Sequence, residues 1–196
     1  MRALQLPKGE AASLSIRHAV SGATATLHKA RGESSSHVLL KALVWSLLAP
    51  HYPTTVTVET VVHGRFRSDV AVVDGGELCC WGECGSVSMP KLASLFAEFP
   101  RAHFIVAKMG RSDLSGYAAQ LVNELPASGP QPLVQVISFP AIEESIDRFV
   151  TADGVVTVSR DDELLDAVHL GGASPPHPHA IDSGSHVVRS RPLLRR

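Results

Sequence analysis

Three features of the sequence predict an α/β protein with a central mixed β-sheet flanked by helices. Three β-rich segments in a row, residues 54–63, 67–73 and 77–84, are joined by links short enough to make an antiparallel meander. An amphipathic stretch then leads into residues 103–109, a continuous apolar run of the kind found in strands buried on both faces. A strongly apolar helical segment, residues 37–48, precedes them.

The elements follow in order. Residues 13–20 and 23–29 alternate as two strands, with Ser21-Gly22 as a two-residue hairpin link. Residues 31–36 break the pattern with Gly32 and three serines that can cap a helix. In the helix over 37–48, Leu39, Leu43 and Leu47 form one row and Leu40, Val44 and Leu48 the next. Trp45 adds a third side, so most of the circumference is apolar, and Pro50 and Pro53 end the helix. In residues 54–63, Val56, Val58 and Val62 share one face, with Thr57, Glu59 and His63 on the other. Gly64 leads into the strand 67–73, and Asp74-Gly75-Gly76 turns the chain into 77–84. The helix over 89–99 carries Leu92, Leu95, Phe96 and Phe99 on one stripe, with Pro90 in its first turn.

A strand–helix–strand succession favours a right-handed crossover, which makes 103–109 parallel to 77–84. Ser112 is expected to cap a helix over 113–125 with Leu114, Tyr117, Leu121 and Leu125 as its stripe. A loop over 126–132, a strand over 133–139, a short helix over 140–150, a strand over 155–159 and an acidic helix over 161–170 complete the pattern. Residues 1–170 therefore read as a single domain, and 171–196, rich in Pro, His, Ser and Arg without periodicity, as a disordered tail.

Composition narrows the function classes. Hydrophobic residues make up 44% and charged residues 19% of the 196, as in soluble globular proteins. The longest apolar stretch, residues 38–50, is interrupted by Lys41 and falls short of the roughly 18 residues of a spanning helix, so no membrane partner is expected. Residues 1–17 lack an apolar signal core, and Cys79, Cys80 and Cys84 form an odd, clustered set unsuited to a disulfide framework; a reducing, cytoplasmic location is expected. Strand alternation puts Cys80 and Cys84 on one face and Cys79 on the other, which favours core cysteines over a structural zinc site. The net charge of −1 argues against general coating of nucleic acid. Residues 1–112 nevertheless hold 12 Lys and Arg against 8 Asp and Glu, and residues 143–170 hold 2 against 8, so a polyanion would favour the first part.

The stretch 66–91 carries the chemistry. Asp69 lies near the start of one strand, Glu83 near the end of the next, and Lys91 in the helix that follows. Two carboxylates on adjacent strands with a nearby lysine is an arrangement that can hold a divalent metal for phosphodiester cleavage. Taken singly, each acid is more often a solvated strand edge or hairpin end. Arg65, Arg67, Lys108 and Arg111 are candidate phosphate contacts, Glu59 on the polar face of its strand is a secondary acidic candidate, and Glu33 by itself reads as an acid complementing the dipole of a helix start. His177, His179 and the four arginines from Arg189 to Arg196 belong to the tail. Gly75-Gly76 lacks the strand–loop–helix setting of a phosphate cradle, and there is no Gly-x-Ser-x-Gly elbow.

This succession of elements resembles the restriction-endonuclease-like core of the PD-(D/E)XK superfamily and, within it, the YaeQ family of small bacterial proteins. The likeness runs from about Leu14 to Leu125. It includes the N-terminal strand pair, Gly32-Glu33-Ser34 before an apolar helix containing Lys41, Ser68-Asp69, Glu83-Cys84-Gly85, Pro90-Lys91 and the apolar strand before Gly110-Arg111-Ser112. The resemblance implies a Mg²⁺ or Mn²⁺ ion on Asp69 and Glu83, helped by the Cys84 carbonyl and with Glu33 as a secondary contributor to the metal shell, and nucleic acid as the partner. It also implies two departures. Gly85 stands where the motif lysine belongs, so Lys91 takes the role of a migrated lysine; Ser68 stands where a proline usually precedes the first acid. Two functions remain open: metal-dependent phosphodiester hydrolysis, or a catalytically inactive nuclease-fold module that binds nucleic acid or protein. A small-molecule-binding α/β domain has no motif behind it.

Overall fold

In a computed structural model, residues 6, 9–63, 66–110, 113–139, 142–158 and 166–170 are described. The expected tail over 171–196, and Arg65, Arg111 and Ser112, lie outside them.

The chain opens with β1 (Ala12–His18) and β2 (Thr24–Lys29), an antiparallel pair. The link between them is five residues rather than two. His18 N–H bonds the Ala23 carbonyl at 2.8 Å, and the His18 imidazole Nδ1 accepts from the Ser21 amide at 3.0 Å, which widens the turn. α1 (Ser35–Leu48) follows, capped by Ser34 Oγ, which accepts from the His37 amide. Every residue from Leu40 to Leu48 is buried, as the near-continuous apolar surface requires.

The single strand expected over 54–63 is two: β3 (Val56–Val58) and β4 (Val61–His63). Glu59 between them has φ +53°, a left-handed conformation that breaks an extended run. β4 leaves the main sheet to pair with β5 (Phe66–Arg67), while β3 stays and pairs with β6 (Val70–Asp74). Gly75 and Gly76, at φ +56° and +85°, form the tight turn into β7 (Glu77–Cys84). Between Val72↔Cys80 and Val73↔Leu78 the register shifts by one, leaving Cys79 as the extra residue of a bulge. Cys79 therefore packs against the same apolar cluster as Cys80 and Cys84, where strict alternation had placed it on the opposite face.

α2 (Met89–Glu98) is capped by Ser88 with Pro90 in its first turn. It delivers the chain to β8 (His103–Met109), which lies parallel to β7 as expected. α3 (Leu114–Val122) starts on an Asp113 cap rather than on Ser112 and stops a turn short of Leu125. β9 (Leu133–Phe139) adds parallel to β8. After α4 (Ile142–Phe149), β10 (Val155–Val156) returns to lie parallel to β1.

The acidic helix expected over 161–170 is contradicted over 166–170; residues 161–165 lie outside the described residues. Residues Asp166–Leu170 form β11, antiparallel to β9. The outer edge of β9 offers unpaired backbone groups, and filling that edge outweighs the weak helical preference of a short acidic segment.

The described residues form a mixed α/β fold with four helices. Its six-stranded mixed sheet has the order β11-β9-β8-β7-β6-β3, and a separate three-stranded sheet has the order β10-β1-β2. Period-2 alternation sorts the central strands onto two cores. Cys80, Cys84, Ile105, Ala107 and Ile137 face α1 and the small sheet, whereas Trp81, Phe104, Val106, Val134 and Val136 face α2 and α3. No helix among the described residues is long and apolar enough to cross a membrane.

Gly82 sits on the α1 face of β7, where an added Cβ would come within 3.1 Å of Val44 Cγ1 and 3.2 Å of Val70 Cβ. Gly82→Val is expected to destabilise the fold by about 1–3 kcal/mol through overpacking, read as a lower urea midpoint.

Candidate functional site

Asp69 stands just before β6 and Glu83 near the end of β7. The antiparallel register pairs Val70 with Gly82, which sets the two acids across from one another on neighbouring strands. The Asp69 amide donates to the Gly82 carbonyl at 3.2 Å, and the Cys84 amide donates to Asp69 Oδ2 at 2.7 Å. The Asp69 carboxylate thus ends the ladder between the strands and is fixed in place by it.

Lys91 joins from the first turn of α2. Its Nζ lies 2.6 Å from Glu83 Oε1 and donates to the Arg67 carbonyl at 3.4 Å. Trp81, two residues before Glu83 and so on the same face of β7, donates its indole N–H to the same Oε1 at 2.7 Å. One carboxylate oxygen of Glu83 is therefore held by two donors.

A second group comes from α1 and its approach. Lys41, buried on the helix, places Nζ 2.7 Å from Glu33 Oε1 and 2.5 Å from Glu59 Oε1. Glu33 Oε2 accepts from the Ala30 amide at 2.8 Å, which folds the loop before α1 onto the helix. The left-handed turn at Glu59 is what aims its carboxylate at Lys41. Arg67 secures that turn, donating Nε to the Glu59 carbonyl at 2.8 Å and approaching Oε2 at 3.4 Å. His37 connects the two groups, with Nε2 3.5 Å from both Glu33 Oε1 and Asp69 Oδ1.

The electrostatics separate the two central acids. Burial pushes the Asp69 carboxyl up, but bonds from His37 and the Cys84 amide and the charges of His37 and Lys41 outweigh it, leaving Asp69 below its ordinary value. Burial also raises Glu83; Lys91 and Trp81 oppose it, the Asp69 charge adds to it, and the net shift is upward. Two neighbouring carboxyl groups pushed apart in this way suit different protonation roles. Burial, then the charges of Asp69 and Glu83, push the Cys84 thiol well up, so this sulfur is neither a thiolate nucleophile nor a ready metal ligand. Cys84 enters the site through its backbone.

The structure thus brings together Asp69, Glu83, Lys91, Cys84, Glu33, Glu59 and Arg67. Lys108 is turned aside, donating Nζ to the Gly85 carbonyl and lying 4.3 Å from the centre of the Tyr117 ring. Arg67 serves Glu59 before any phosphate, and Arg111 lies outside the described residues. His37, Lys41 and Trp81 were not singled out as site residues from the sequence. A lone lysine inside an apolar helix signals a buried counter-charge, and an aromatic two residues from a strand acid signals a shared face; nothing local marks His37.

Beside the cluster lies a cleft of about 450 Å³ lined by Glu33, Ser34, Ser36, His37, Leu40, Gly85, Ser86 and Met109. Gly85 has φ +74°, and a Cβ there would come 3.2 Å from His37 Nδ1. Glycine at this position lets the turn after β7 close against the His37 ring.

The donor set fits a hard divalent cation of the Mg²⁺ type, which takes one or two carboxylates and keeps several waters. Among the described residues no three His, Cys, Asp or Glu side chains group to hold a metal, so water would have to complete any such shell. Glu33, Glu59, Asp69 and Glu83 face the cations Lys41, Lys91 and Arg67, which leaves an excess of negative charge centred on Asp69.

Lys41→Met leaves Glu33 and Glu59 facing each other with only the exposed Arg67 and the His37 ring beside them, and is expected to destabilise the protein by roughly 3–5 kcal/mol in chemical denaturation. Adding Glu59→Gln should restore part of that loss. For Asp69, whose folded-state value is depressed, the stabilising contribution is present above about pH 4 and disappears as pH falls through the folded value. Melting curves of wild type and Asp69→Asn should therefore differ near neutrality and converge on acidification.

No known family model and no curated protein matches the chain, so its function is argued from this geometry.

Proposed function

We propose that this chain has the restriction-endonuclease-like fold, is YaeQ-like, and hydrolyses phosphodiester bonds in nucleic acid with Mg²⁺ or Mn²⁺. The observation that carries this reading is the 2.6 Å contact between Lys91 and Glu83, with Asp69 opposite on the neighbouring strand. A lysine supplied from α2 thereby meets the second acid although Gly85 occupies the position two residues after it.

Asp69 and Glu83 would hold the ion, which when bound polarises a phosphoryl oxygen and lowers the pKa of an attacking water. The chain's own residues account for the rest. Trp81 and Lys91 fix the orientation of Glu83, and the Cys84 amide and His37 fix that of Asp69. The Lys91 ammonium is placed to offset charge that builds on a phosphate bound beside Glu83. Lys41 and Arg67 act one step back, holding Glu33 and Glu59.

A second reading is favoured by one observation: every acid of the cluster except Asp69 already has a Lys or Arg partner. In that reading the same surface binds nucleic acid or protein without cutting.

Cleavage assays on single-stranded, duplex and structured DNA and RNA with Mg²⁺ or Mn²⁺ separate the two. Activity should fall by about 100-fold or more in Asp69→Ala, Glu83→Ala and Lys91→Ala. Rates unchanged in all three variants would reject the catalytic assignment. Calorimetric Mn²⁺ titration is the companion test: heat present in wild type, lost in Asp69→Ala/Glu83→Ala, and unaccompanied by cleavage supports the non-catalytic reading. Gly85→Lys, the return of the motif lysine, should lower both stability and activity, because the side chain meets His37 from a left-handed backbone.

A further inference from the structure

We infer that the cleft between the start of α1 and the turn after β7 seats one unpaired nucleobase, which makes single-stranded nucleic acid the substrate class. The inference rests on the nucleic-acid reading above and specifies it.

The cleft's walls differ in chemistry. Leu40 from α1 and Met109 from the end of β8 supply apolar surface, and the imidazole of His37 supplies a flat ring. Ser34, Ser36 and Ser86 supply hydroxyls, and Glu33 supplies a carboxylate. A carboxylate in the wall repels a phosphate, so the backbone of a nucleic acid belongs outside. A flat, uncharged group with hydrogen-bonding edges matches the same lining: its faces meet Leu40, Met109 and His37, and its edges meet the hydroxyls. At about 450 Å³ the space lies within the range of small-molecule sites, roughly 300–1,000 Å³. That is sufficient for a base.

His37 fixes the location of the cleft relative to the proposed chemistry. Its ring lines the cleft while its Nε2 lies 3.5 Å from Asp69 Oδ1. A base against His37 therefore leaves the adjoining sugar and phosphate outside the cleft, towards the end of the β6–β7 ladder, where the Lys91 and Arg67 cations stand near the Asp69 carboxylate. A base in a duplex is paired and stacked and cannot reach such a seat without being extruded, whereas a base in a single strand is free to enter. Gly85 shapes the entrance, since any side chain there would press on His37.

The test is equilibrium binding by fluorescence anisotropy with the full chain, in EDTA so that turnover plays no part. The probes are a labelled short single-stranded DNA, the RNA of the same sequence, the matching DNA duplex, and single-stranded DNAs each carrying one abasic position. Ser36→Leu and Ser86→Leu fill the cleft from its polar side without adding charge or an aromatic face.

Single strands are expected to bind about 10-fold or more tighter than the duplex. An abasic site at one position should cost wild type about 5- to 100-fold, the range for loss of one stacked base. The same abasic site should cost Ser36→Leu and Ser86→Leu little, because their cleft is already closed. Equal affinity for duplex and single strand, indifference to abasic sites, filled variants that bind like wild type, or no binding at all each overturn the inference. Base-dependent binding without cleavage under Mg²⁺ or Mn²⁺ upholds the seat and rejects catalysis. Cleavage abolished by Asp69→Ala but indifferent to abasic sites does the reverse.

Discussion

The site depends on one buried charge. Lys41 sits in the middle of α1, on a helix whose inner surface is otherwise apolar except for Ser46, and its ammonium cannot stay ionised there without partners. Burial lowers its proton affinity, but the bonds and charges of Glu33 and Glu59 overcome that and leave it raised. Meeting this demand shapes the backbone on both sides. Glu33 draws the loop before α1 inward through its bond to the Ala30 amide. Glu59 takes a left-handed conformation, which splits one strand into β3 and β4 and diverts β4 toward β5. The Glu59 amide also donates to the Asp69 carbonyl at 2.9 Å, so the turn made for Lys41 is tied directly to the first acid.

The sheet divides the work between its faces. Asp69 is addressed by His37 from the α1 side, and Glu83 by Lys91 and Trp81 from the α2 side. Only at the end of the β6–β7 ladder do both sides meet, which is why the acids are adjacent yet differently shifted. Burial raises both, and the surroundings decide the sign: bonds from His37 and the Cys84 amide and the charges of His37 and Lys41 pull Asp69 down, whereas at Glu83 the Asp69 charge adds to burial and together they outweigh Lys91 and Trp81.

Much of this architecture was legible as local pattern. The rows of leucines in α1, the Ser88 and Pro90 start of α2, the glycine turn before β7 and the apolar runs of β8 and β9 are all short-range signals, and each produced its element. The departures have long-range causes. Nothing near Glu59 announces that a lysine on α1 will reverse its backbone, and nothing near Asp166 announces that the edge of β9 is open. The bulge at Cys79 escaped because alternation assumes an unbroken register. In the site, Asp69, Glu83 and Lys91 could be read from spacing along one meander and the helix after it. His37 could not, since its partner Asp69 lies on a different element brought near only by tertiary packing.

The pairing of β10 with β1 bears on the order in which this chain takes shape. Arg17 and His18 lie beside Val155 and Val156, so β1 waits for almost the last described element before its outer edge is covered. Gly154 passes so close to the Ser15 carbonyl that no side chain could be accommodated between them. Until that late segment arrives, the nascent β1–β2 hairpin presents open backbone donors and acceptors to any passing strand. Long-range closure of this kind raises contact order and slows folding. The window in which the young chain is vulnerable to misassociation is thus set by the distance along the chain between β1 and β10.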